Sequence, residues 1–141
     1  MRNRKNKVLI IFIVNLSLLM VTPRCSPKYI SQLKDQFGVT IKKKDVALIK
    51  QEEKWDLNGD GFYWADIKIR PGFDIDAFFN AYEFRELPIS EDIPVGEKYS
   101  YLSTVNKGKY LFKADSNDVR DFRILLFDDE REVLFFYYQF Y

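Results

Sequence analysis

Trp55-Asp56-Leu57-Asn58-Gly59-Asp60-Gly61-Phe62-Tyr63-Trp64 decides how this chain is organised. Asn-Gly and Asp-Gly suit turn positions that need positive φ, and strand-like runs flank them. The stretch predicts a β-hairpin with 46–55 paired against 61–70. In its second strand Tyr63, Ala65, Ile67 and Ile69 alternate with Phe62, Trp64, Asp66, Lys68 and Arg70. Side chains alternate faces along a strand, so the first set is the expected core face. Trp64 and Asp66 then fall on an exposed, polar face.

Downstream, Asp74 or Asp76 is positioned to cap a helix running to about Glu86. Ile75, Phe78, Phe79 and Tyr82 recur at the spacing of one buried stripe, and Pro88 closes it. Residues 88–104 hold Pro88, Pro94 and Gly96 among polar residues and read as a long surface loop. Strands follow at 109–114, 122–128 and 133–141, the last two joined by the polar turn Asp129-Glu130-Arg131-Glu132. The final strand is apolar or aromatic on both faces, which places it centrally or under cover on both sides.

Upstream, Ser26 reads as an N-cap with Pro27 at the first helical position. Ile30, Leu33 and Phe37 follow at helical spacing, and Gly38 is a suitable stop. Between Val39 and Trp55 the chain is strand-like, interrupted by Lys42–Asp45. The order helix, hairpin, helix, meander predicts an α+β fold, one mostly antiparallel sheet with two helices packed on it. Residues 26–141 form a single domain on this reading, and 1–25 stand apart from it.

Those first 25 residues contain Arg2, Arg4, Lys5, Lys7 and Arg24 and no acid, and Val8–Val21 is apolar except for Asn15 and Ser17. A basic start followed by 14 mostly apolar residues has the form of an export signal, whereas a spanning helix needs roughly 20. Three fates are consistent with it: cleavage and secretion, lipidation at Cys25, or retention as a short anchor. Pro23 and Arg24 stand where a lipidation site has small residues. The expected location is extracytoplasmic, with attachment to a membrane through this segment favoured.

The chain has no His and one Cys. This removes intramolecular disulfides, histidine-dependent nucleophilic catalysis and histidine metal ligands. Beyond residue 25 there are 17 basic and 21 acidic residues. An acidic body lacks the concentrated positive surface that nucleic acid requires, and the only basic run, Lys42-Lys43-Lys44, reads as a solvated turn.

The Asn58–Tyr63 hairpin, the Gly108-Lys109-Tyr110-Leu111-Phe112 strand, and Leu126-Phe127-Asp128 followed by Val133–Tyr138 together resemble a group of small bacterial exported proteins. In that group a Gly-Asp-Gly turn precedes an aromatic strand, and an acidic turn precedes a terminal aromatic one. The group carries no assigned activity, so the resemblance implies a fold over roughly residues 46–141 and no catalysis. Where its members often have His and Gly before the turn, this chain has Trp55-Asp56-Leu57-Asn58.

Few residues point to chemistry. Asp56, Asn58 and Asp60 with Gly61 match the first half of a calcium loop, but position 12 is Ile67 and the flanks are strands, which favours a plain turn. Asp66 and Glu83 are the carboxylates nearest to an acid–base pair. Aromatics beyond the needs of one small core, Trp64 and Tyr101 among them, suggest either a second covering layer or a contact surface for a protein. No cofactor is expected. The reading that results is a non-enzymatic interaction module outside the cytoplasm, with a small-ligand or calcium-binding domain as the alternative.

Overall fold

The computed structural model describes residues 26–91, 93, 102, 104–115, 117–118 and 120–141. Six strands form one sheet: β1 (Val46–Trp55), β2 (Gly61–Ile69), β3 (Arg85–Glu86), β4 (Gly108–Ala114), β5 (Phe122–Asp128) and β6 (Val133–Phe140). Their order is β1-β2-β6-β5-β4-β3, every pair antiparallel. The predicted hairpin is there, with Val46 opposite Ile69 and Trp55 opposite Gly61. A bulge at Ile49 breaks the register between Leu48 and Lys50. β6 lies between β2 and β5, and seven of its eight residues are buried, as its two-sided apolar pattern predicts.

Alternation of side chains on β2, β5 and β6 builds two cores. On the first face Tyr63, Ala65 and Ile67 of β2 meet Leu125, Leu134, Phe136 and Tyr138. On the second, Trp64 packs with Tyr110, Phe122, Ile124, Leu126, Phe135 and Tyr137. Trp64 is therefore not on an exposed face. Only 6% of it meets solvent, and Lys50 Nζ lies 5.4 Å from its ring centroid. Asp66, on the same side of β2, is half-buried.

The cover of this second face comes from a segment expected to be surface loop. Leu87, Ile89, Ile93 and Val105 pack against the cluster, and Leu102 is 2% exposed within it. Apolar residues scattered among Pro and polar neighbours carry no period, so sequence pattern marks such a stretch as loop even where it covers a core.

The first face is covered by helical segments. α1 (Lys28–Gln32) runs directly into a π-helical turn, Leu33–Phe37, and Gly38 ends it with φ 74°. Four residues overshoot one α-helical turn by about 40°. The wider π turn undershoots, which returns Phe37 to the side of Tyr29 and Leu33, all three buried. Tyr29, not Ile30, leads that stripe; Ile30 is only partly buried. Pro27 occupies the cap position and no side chain caps the helix, so Ser26 does not act as expected.

α2 (Ile75–Asn80) is six residues long and capped by Asp74, whose Oδ1 accepts the Ala77 N–H at 2.9 Å. It stops well short of Glu86, because the chain must turn and extend to pair β3 with β4. The predicted stripe survives the shortening. Phe78 and Phe79 are buried, and Ile75 and Tyr82 pack against the same cluster.

Candidate interaction surface

With both sheet faces covered, large apolar side chains remain exposed mainly along β1 and its turn. Leu48 is 37% exposed, Ile49 53%, Trp55 40% and Leu57 106%, and among the described residues the other is Tyr141 at 58%. β1 is an edge strand, and its central run Lys50-Gln51-Glu52-Glu53-Lys54 is charged or polar. Charges and a bulge discourage indiscriminate strand pairing along such an edge. The apolar groups are thereby confined to its two ends.

At the hairpin end the turn closes with Asp56 N–H donating to Asp60 O at 2.9 Å and Gly59 N–H to Asp56 O at 3.3 Å. Gly59 has φ 92°. Gly61 is required for a different reason: a Cβ there would collide with Lys54 O and with the Trp55 indole that lies across it. Trp55 then stacks toward Tyr138 and Phe140 at 6.0 and 6.4 Å. Its Nε1–H points to Glu53 Oε2 at 3.4 Å, and that carboxylate is ion-paired with Lys28 at the start of α1. The Lys28 hydrogen bond holds the Glu53 carboxyl below its ordinary value.

Inward from this end the chemistry is buried and neutral. The Tyr63 hydroxyl donates to Gln51 Oε1 at 2.6 Å and the Tyr138 hydroxyl to Gln32 Oε1 at 2.7 Å. Burial pushes the Tyr63 phenol up to about 12, and burial together with the neighbouring Tyr63 raises Tyr138 as well. Both hydroxyls therefore stay protonated through the neutral range, and they tie β1 to β2 and α1 to β6.

The candidate calcium ligands share the hairpin turn. Asp56 Oδ1 accepts the N–H groups of Asn58 and Asp60, at 2.9 and 3.0 Å. Oxygen and amides thus satisfy one another, which is what the turn reading of these residues requires. Among the described residues no three acidic or Cys side chains are grouped to hold a metal ion. Asp66 and Glu83 belong to different layers: Asp66 shares its side of β2 with Trp64, whereas Glu83 follows α2 on the opposite face. The candidate contacts separate likewise. Trp64 is in the second core, and Tyr101 and Cys25 lie outside the described residues.

Among the open depressions of the described residues, two lie beside turns of the sheet. One, of about 250 Å³, is bordered by Lys54, Asp56, Asp60, Phe62, Gln139 and Tyr141 beside the hairpin turn. The other, of about 320 Å³, lies by the β5–β6 turn between Thr104, Lys107, Asp128, Glu130 and Arg131. Asp128 is buried because its Oδ1 accepts the Glu130 and Arg131 N–H groups and shapes that turn. Neither depression brings together a nucleophile and a base.

Sequence reasoning missed the exposed ends of β1. Leu48 and Ile49 fall within the predicted strand 46–55, and Leu57 within the predicted turn. Leu57 carried the one available signal, since an apolar side chain among Asp, Asn and Gly in a tight turn has no core to enter. Set against protein-family models, curated proteins and solved structures, the chain matches none.

Proposed function

We propose that this chain is a non-enzymatic interaction module of the cell envelope, held to a membrane by its N-terminal segment and presenting β1 to a protein partner. The observation that carries this reading is the placement of exposed apolar groups. Among the described residues four of the five large ones are on β1 and its turn, while most aromatics of both sheet faces are buried. The contact surface is then the edge strand, with Leu48 and Ile49 as its apolar element, in place of Trp64. The α1 and α2 segments serve as one supporting layer behind it. No helix among the described residues is long and apolar enough to cross a membrane, so attachment rests on the composition of residues 1–25.

A photo-reactive amino acid at position 49 of the full chain, activated in membranes of the native host, tests this. The expected result is one discrete cross-linked product. It should be absent when the probe is at Asp76 on α2, and should diminish when Leu48 is changed to Ser. Equal, diffuse labelling from both positions would contradict the reading.

A further inference from the structure

The second apolar end of β1 has its own geometry. Leu57, at the extremity of the hairpin, is 106% exposed, more open than in an extended reference chain. Trp55 beside it is 40% exposed, and its N–H points to Glu53. Tyr141 is at the same end of the sheet but on its second face, where it borders a depression with Asp56, Asp60, Phe62 and Tyr137. An amphipathic Trp and a protruding Leu are side chains that settle at the boundary between headgroups and acyl chains.

What lies next to them is the start of the domain. Lys28 is ion-paired with Glu53, two residues before Trp55, and its ammonium is 5.6 Å from the Tyr63 ring centroid. The chain therefore reaches the body at the hairpin end of the sheet. Only residues 22–25 separate Ser26 from the apolar run Val8–Val21, and four residues span at most about 14 Å. A membrane holding that run, or a lipid on Cys25, is within reach of the hairpin. The run itself has 14 residues where spanning needs roughly 20, and a single weak anchor becomes stable with a second contact.

We propose that the hairpin turn is this second contact: Leu57 and Trp55 insert into the interfacial layer of the bilayer to which the N-terminal segment attaches the chain. This rests on the membrane attachment proposed above. The occupant is a lipid surface with little net charge, since Asp56 and Asp60 in the same turn oppose an anionic one while Lys54 offsets them only in part. The sheet then stands away from the membrane with the Leu48–Ile49 end of β1 distal to it.

The test uses the full chain reconstituted in phosphatidylcholine vesicles, with Trp64→Phe leaving Trp55 as the only tryptophan. Flotation reports attachment, and quenching by lipids brominated high on the acyl chain reports insertion. The expected result is a floating protein whose Trp55 is strongly quenched by brominated lipid and shielded from aqueous iodide, with Leu57→Ser reversing much of both. A floating protein whose Trp55 is open to iodide and untouched by brominated lipid overturns the insertion and leaves the attachment standing. A protein that does not float overturns both. Should Trp64→Phe not fold, the difference between the parent chain and Trp55→Phe gives the same Trp55 signal.

Discussion

Tyr63 shows how single residues fix this sheet. Its ring packs 5.5 Å from Phe136 and 5.6 Å from Tyr138, and its hydroxyl reaches back to Gln51 on β1. Burial raises its phenol to about 12, from 10.0 when exposed. A folded pKa above the unfolded one means that the native state holds the proton longer. The contribution is then complete below pH 10 and is lost as pH rises toward 12. Unfolding free energy is expected to fall across that window by roughly 1 kcal/mol per pH unit on account of this group. Denaturant titrations at pH 9 to 12 check this: Tyr63→Phe should show a shallower decline than the parent chain. Equal slopes would mean that the buried phenol is not what drives it. This residue was legible early, because alternation along β2 assigns it to the core whatever the rest of the chain does.

At the scale of elements, the sequence was most readable where local chemistry and periodicity agree. The hairpin register follows from Asn58-Gly59-Asp60-Gly61 and from alternation, and the central place of β6 from its two-sided apolar run. Legibility failed where tertiary demands override local pattern. α2 has a stripe extending to Tyr82 but stops at Asn80, because β3 must form before the chain crosses to the second face. Trp64 shares its side of β2 with Asp66 and Lys68 and so looked exposed. Its burial depends on a segment distant in sequence and without period. That covering layer makes a stability prediction. Leu102→Ala should cost about 2–5 kcal/mol in denaturant unfolding, the range for a buried leucine. Leu57→Ala should stay within about 0.5 kcal/mol. If Leu102→Ala is as silent as Leu57→Ala, the segment is a surface loop after all. The candidate surface was poorly legible for a related reason: exposure of Leu48 and Ile49 depends on β1 being the sheet edge, which strand-by-strand reading does not decide.

For the whole molecule, the organisation is a sheet closed by cover on both faces, one protected edge strand, and the start of the domain at the hairpin end of that strand. The opposite edge is the two-residue β3, which pairs only with Lys109 and Tyr110 of β4, so among the described residues β1 is the longest edge strand. The acidic balance of residues 26–141 and the burial of nearly all aromatics of the sheet faces agree with a contact made by a few apolar groups rather than by a broad charged surface. Everything proposed about partner and bilayer depends on where the chain resides. The most direct measurement is fractionation of host cells expressing the full chain with a C-terminal tag, followed by protease added from outside the cytoplasmic membrane. A membrane-attached chain outside the cytoplasm stays with the membrane pellet through high-salt washing, is released by detergent, and loses its tag to the protease. A tag protected from external protease, or a chain recovered in the supernatant of broken cells, would contradict that placement.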